Sequence, residues 1–230
     1  MNVWSSLALI ALSAASAHQS ADAAETRHVE QQRNSDGSRL QLTTTVDLVR
    51  QQRLFSVELQ IPGESTTSTV LRHAQALIDA PNGGATLSDI DADGVFELVV
   101  RSFCGAGPNC SYTIFKINPT NTTATRWFEG GYAQIKPIGP YLVTSNRSSC
   151  CSWSHRVLKT PKTGRAMDAN DTIATIEVKA PTGSGGSAQC KIQATVQDEW
   201  NAVVEQTPKL LSLCETYGTS VVITSPLSSR

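Results

Sequence analysis

The chain predicts an all-β fold, an antiparallel sandwich or small propeller-like β domain carrying one calcium loop and disulfides. Three observations point there. Apolar runs are short, β-branched and often alternating, as in half-buried strands. Turn-forming Gly, Pro, Asn and Asp clusters recur about every ten residues, the spacing of sandwiches and small propellers. Residues 88–100, SDIDADGVFELVV, place alternating carboxylates and a glycine directly before an apolar strand. The chain has 230 residues, and those left after an export signal suffice for one ordinary domain or two small ones.

The N-terminus reads as a signal peptide over 1–23. Residues 7–17 (LALIALSAASA) are apolar and small, too short to cross a bilayer as a helix, and Ala15-Ser16-Ala17 and Ala21-Asp22-Ala23 both suit cleavage. No cysteine near either site offers a lipid anchor, so a periplasmic or secreted protein without a membrane anchor is expected. The formal net charge of -1 implies neither nucleic acid nor an anionic membrane as partner. Residues 24–37 are polar and expected to form a flexible lead-in.

A single β-rich domain is expected over 38–224, with 165–224 as a possible subdomain and 225–230 as a loose tail. Residues 39–48 alternate and predict a strand, paired with a second over 54–61 that ends at Pro62-Gly63. A short strand follows over 67–72. Residues 73–79 fit strand or helix, and Pro81-Asn82-Gly83-Gly84 ends them.

The acidic stretch comes next. Asp89, Asp91, Asp93 and Glu97 occupy positions 1, 3, 5 and 9 of a tight loop, where all can turn toward one ion. Gly94 at position 6 permits the sharp turn, and the carbonyl of Val95 at position 7 is an expected ligand. Calcium takes six to eight oxygens at about 2.3–2.6 Å, and this set with a water or two supplies them. Asp also suits turns for its own reasons, so an acidic turn without an ion is the plainer alternative. The loop is not an EF-hand, because position 12 is Val100 and the chain runs into a strand.

That strand, 96–103, is expected to pair with 111–117 across a tip, 104–110, whose cysteines bracket Gly-Ala-Gly-Pro-Asn. Both strands carry apolar residues on both faces and belong in the middle of the fold. Six cysteines in an exported chain make disulfides the default. Cys104 pairs with Cys110, since the hairpin ends must be close, and Cys190 with Cys214. Adjacent Cys150 and Cys151 are expected to form a vicinal disulfide or to bridge elsewhere. Zinc-ligand spacings are missing.

Further strands are expected over 124–128, 133–138, 141–145, 153–159, 173–178 and 190–196, with Gly130-Gly131 breaking the first. Residues 182–187 (TGSGGS) read as a flexible loop. Thr207 as N-cap, Pro208 at N1 and Gly218 past the end predict a helix over 207–217, with a strand as alternative. The acidic motif occurs once, with Asp168-Ala-Asn170-Asp171 as a weak echo, so a propeller of identical blades is not supported. No Gly-x-Ser-x-Gly, His-Glu-x-x-His or phosphate-binding glycine loop occurs, and no enzyme activity is expected. Ser154-His155 beside Cys150-Cys151 is the nearest thing to a nucleophile cluster.

The stretch Asp-x-Asp-x-Asp-Gly-x-x-Glu before an apolar strand resembles the calcium loops of FG-GAP and VCBS-type β repeats. With the signal peptide and the hairpin tip ending in Tyr112, residues 88–115 also resemble a group of bacterial periplasmic immunity proteins. These neutralise lysozyme-like effectors of an antibacterial type IV secretion system and are similar to periplasmic inhibitors of invertebrate-type lysozyme. The resemblance implies a non-enzymatic, calcium-bearing β protein that binds a cell-wall (peptidoglycan) hydrolase through a protruding loop. Gly107, Asn109, Ser111 and Tyr112 occupy the implied partner-binding positions. The chain departs from that group in its disulfide-closed tip, in Cys150-Cys151, and in lacking an intact Ser-Gly-x-x-Tyr plug. A calcium-stabilised FG-GAP/VCBS-type adhesion module for carbohydrate or protein is the alternative.

Overall fold

In the computed structural model, residues 26–105, 107–161, 165–183, 185–195 and 197–224 are described, without side chains for 197–199. The signal segment 1–23 and the tail 225–230 lie outside them, as do Ser184 of the glycine-rich loop and Val196. The all-β expectation holds, with antiparallel pairing throughout except for one parallel pair.

The first sheet is a meander of β1 (Thr26–Arg33), β2 (Arg39–Asp47), β3 (Gln52–Gln60) and β4 (Thr67–Ala76). Its inner residues Leu40, Leu42, Phe55, Val57 and Leu59 are fully buried, following the period-two alternation of β2 and β3. The expected lead-in is therefore corrected, because 26–33 form a strand paired with β2 along its whole length. Backbone pairing and the inward Glu30, whose carboxylate accepts from the Leu87 amide at 3.1 Å, hold this polar segment where side-chain hydrophobicity does not. Of residues 73–79, where strand and helix both fit, 73–76 continue β4 and 77–79 turn.

The second sheet has the order β5 (Gly84–Ser88), β6 (Glu97–Cys104), β7 (Cys110–Asn118) and β8 (Thr123–Tyr132). β6 and β7 are apolar on both faces because both are covered. Leu98, Val100, Phe115 and Ile117 pack on the first sheet, and Val99 and Ile114 pack on the third. β8 runs through Gly130-Gly131, where a break is expected, because the Phe128 ring lies 2.9 Å from where a Gly130 Cβ would sit. The glycine is a site of close approach, not a turn.

The third sheet contains β9 (Gln134–Ile138), β10 (Tyr141–Ser149), β11 (Ser152–Leu158), β12 (Thr172–Lys179), β13 (Ala188–Ala194) and β14 (Val221–Thr224). β14 lies parallel to β13 at one edge. Leu142 and Leu158 face the second sheet, and Val143, Val157, Ile176 and Ile192 face a helical cap. The cap is α1 (Gln197–Gln206), which lacks a clear apolar stripe in sequence, followed by a 3₁₀ segment at Pro208–Tyr217 where a helix is expected. Trp200, Leu210, Leu213 and the Cys190–Cys214 bridge fix this cap to the sheet. Met167 joins sheets two and three by bonding its main chain to Trp127 and Glu129 of β8.

Candidate metal centre and hairpin tip

The acidic loop connects β5 to β6. Asp89 shapes it by accepting from the amides of Asp93 and Gly94, each at 3.1 Å, and Asp93 accepts from the Val95 amide at 2.8 Å. Gly94 adopts φ +85°, and its missing side chain admits Ser35, whose Oγ would be 2.4 Å from a Cβ there. The Ser35 amide donates to the Gly94 carbonyl at 2.8 Å. Buried Asn34 accepts from the Phe96 amide at 3.0 Å and donates to Ser38. The β1–β2 turn thus braces the loop from outside, a contact across more than fifty residues that the local motif does not announce.

Asp89, Asp91 and Glu97 each present a carboxylate oxygen, all within 4.8 Å of one another. Glu97 is 1% exposed and accepts from the Ile90 amide at 2.8 Å. Burial pushes its carboxyl up to about 8, against the lowering effect of that hydrogen bond. Asp91 Oδ1 is buried without a hydrogen-bond partner. Two carboxylates at this separation repel by about 3 kcal/mol at an effective dielectric of 20. Such oxygens suit a hard cation, and these three residues are the ones that could hold it. Asp93 stands outside the cluster, half-exposed, and Val95 engages through its amide, which donates to Asp93.

Lys116, on β7, is the residue the loop motif does not reveal. Its ammonium bonds Asp91, reaches Asp93 at 3.4 Å and lies 4.8 Å above the Trp127 ring. Burial alone lowers its pKa, but the hydrogen bond to Asp91 and the surrounding carboxylates outweigh burial and hold it above the usual lysine range. A divalent ion must share or displace this ammonium.

The other end of β6 is the closed tip. Cys104 and Cys110 are bridged, with an S–S length of 2.04 Å, and the Gly105 amide donates to the Asn109 carbonyl at 3.1 Å. Gly107 is exposed with φ +96°, and Ser111 is exposed. Asn109 and Tyr112, expected as partner-binding, are engaged within the chain. The Asn109 amide donates to the Arg147 carbonyl at 2.8 Å and its oxygen accepts from the Arg147 amide at 2.9 Å. Tyr112 stacks on Tyr132 with ring centroids 4.1 Å apart. Phe103 of the tip is 57% exposed, and Ile78 and Val49 are 85% and 76% exposed. Bonds from Gln75 to the Arg101 carbonyl and from Leu77 to the Gln51 carbonyl bring their turns to this end.

Cys150 and Cys151 are free, exposed thiols in this structure, the two loop residues between paired Ser149 and Ser152. The four other cysteines bridge one another, which leaves no distant partner. A hydrogen bond to Cys150 pushes the Cys151 thiol up. Nearby His155 is a core residue, bonded to Ser145 at 2.8 Å and Thr216 at 3.1 Å, and burial pushes it down to about 4.

No family model and no curated relative match the chain. A solved structure of a Xanthomonas type IV secretion system related protein is similar, at 15% identity and TM-score 0.38, over 75% of this chain and 96% of that one. The disulfides are compatible with an extracytoplasmic location.

Proposed function

We propose that this is an exported, calcium-binding, non-enzymatic β protein of the periplasm or the extracellular space that inhibits a peptidoglycan hydrolase. The observation that carries the reading is the convergence of Asp89, Asp91 and Glu97 within 4.8 Å at the foot of β6, whose other end is the disulfide-closed tip. Calcium sets the foot of the hairpin, and the pre-ordered tip loses little entropy on entering a cleft. Gly107 and Ser111 meet the partner first, while Asn109 and Tyr112 hold the tip in place. Exposed Phe103, Ile78 and Val49 add apolar contact around it.

The test is peptidoglycan hydrolysis by lysozyme-class enzymes, measured with excess mature protein in calcium. Stoichiometric inhibition that weakens in Ser111→Arg, with unchanged thermal stability, is the expected result. Full hydrolase activity across such enzymes contradicts the reading.

A second reading, a calcium-stabilised carbohydrate- or protein-binding module, is favoured by a groove on the outer face of the first sheet. The groove, of about 320 Å³, is lined by Gln31, Arg39, Gln41 and Glu58, among others. Its amides and charged groups suit sugar hydroxyls. Retention on an insoluble glycan without hydrolase inhibition selects it.

A further inference from the structure

The β10–β11 turn carries chemistry that the hydrolase reading does not use. Its thiols belong to consecutive residues, joined by a trans peptide that sets their Cα atoms about 3.8 Å apart. The Cys151 carbonyl is pinned by the Ala180 amide at 2.8 Å. The Cys150 carbonyl accepts from a side chain, the Arg147 guanidinium, at 2.9 Å, and the same guanidinium donates to the Ser149 carbonyl at 3.1 Å. The strand register also shifts between Arg147 and Ser149, so this half of the turn is the adaptable half. Asn109 grips the main chain of Arg147 through both its amide and its carbonyl.

We propose that Cys150 and Cys151 are a redox-reactive dithiol that is oxidised by a small-molecule disulfide to a bridge between the two, and that closure is transmitted through Arg147 and Asn109 to the β6–β7 tip. One cysteine thiolate attacks the oxidant's S–S bond, forming a mixed disulfide and expelling one thiolate. The neighbouring cysteine thiolate attacks the protein sulfur of that mixed disulfide and expels the second. One protein S–S bond and two small-molecule thiols replace two protein thiols and one oxidant S–S bond. The protein loses two electrons to the oxidant, and its two thiol protons pass to the released thiolates. Adjacency makes the second step effectively unimolecular, so the mixed disulfide is short-lived. Ring closure rotates the Cys150–Cys151 peptide and removes its carbonyl from Arg147. Reduction by excess thiol reverses the change.

The experiment uses the full mature chain with its other two disulfides intact, treated with oxidised glutathione. Thiol counting and peptide mapping are expected to show both thiols lost together, without dimer or persistent adduct. Cys150→Ser is expected to keep a stable glutathione adduct on Cys151. Unreacted thiols, a lasting adduct on the unaltered chain, or disulfide-linked dimers overturn the site. Hydrogen exchange at the tip amides reads the second half of the claim. Exchange there is expected to change on oxidation, and the change is expected to vanish in Asn109→Ala. An oxidised chain whose tip exchanges as before overturns the coupling. Neither readout depends on calcium or on a hydrolase.

Discussion

Two Asp-rich turns sit in this chain, and they use their carboxylates differently. At Asp168–Asp171 each carboxylate is committed to its own turn. Asp168 accepts from the Asn170 amide at 2.7 Å, Asp171 accepts from the Asp168 amide at 2.9 Å, and Arg165 grips Asp171 through two bonds at 2.6 and 2.9 Å. That is a capping box with a forked ion pair, complete in itself. At 89–97, Asp89 and Asp93 shape the turn, but Asp91 and Glu97 point inward and converge with Asp89. Acidic spacing alone does not make an ion site. The difference is whether backbone amides use up the carboxylates or leave a surplus facing one another.

The largest effect that separates the two turns is a pH dependence. Burial favours the protonated form of Glu97 in the ion-free fold, raising its pKa from 4.5 to about 8. Between those values the unfolded chain binds fewer protons than the folded one, so ion-free stability falls as pH rises through that window. The full loss is on the order of 5 kcal/mol. Chelator-treated protein unfolded at a series of pH values shows this slope, Glu97→Gln flattens it, and saturating calcium removes it by favouring the carboxylate. A flat ion-free profile in the unaltered chain contradicts the placement of Glu97.

Next comes the response to calcium. At a concentration about a hundredfold above Kd, binding adds roughly 2.7 kcal/mol, several degrees in Tm. Asp91→Ala abolishes the shift, and Asp168→Ala leaves it intact. A smaller effect belongs to the capping turn. Asp168→Ala costs about 1 kcal/mol with or without calcium, as loss of a cap does. Equal calcium responses in both variants erase the distinction between the turns. The smallest effect is at Lys116. Lys116→Met removes the ammonium that competes for Asp91, so calcium affinity, measured by titration, rises several-fold while ion-free stability drops. Unchanged affinity means that the lysine and the ion do not meet.

The parts of the fold legible in the sequence are those whose signals are local. Alternation in 39–48 and 54–61 marks β2 and β3, and the apolar run after Glu97 with the Cys104–Cys110 bracket marks the β6–β7 hairpin. Gly94 is legible too, because position 6 of the loop demands its φ. What stays hidden depends on partners distant in the chain. β1 is polar and is held by backbone pairing and Glu30, α1 has no clean apolar stripe, and Gly130-Gly131 reads as a break until the Phe128 ring is in place. In the candidate site the carboxylates are legible but Lys116 is not, since a lysine nineteen residues past the last glutamate of a motif carries no signal. Asn109 and Tyr112 enter as contact residues through the resemblance of the hairpin, and their partners within the chain, Arg147 and Tyr132, are distant in sequence and carry no local signal.

Whether the acidic loop binds calcium is decided by calorimetric titration of calcium into the oxidised, chelator-treated mature chain, with Asp91→Ala as control. One ion per chain is expected, with Kd no weaker than about the 10⁻⁴–10⁻³ M typical of extracellular sites, and no binding in the variant. Absence of binding at millimolar calcium, with Lys116 remaining bonded to Asp91, would make the lysine the permanent cation of this loop and contradict the account.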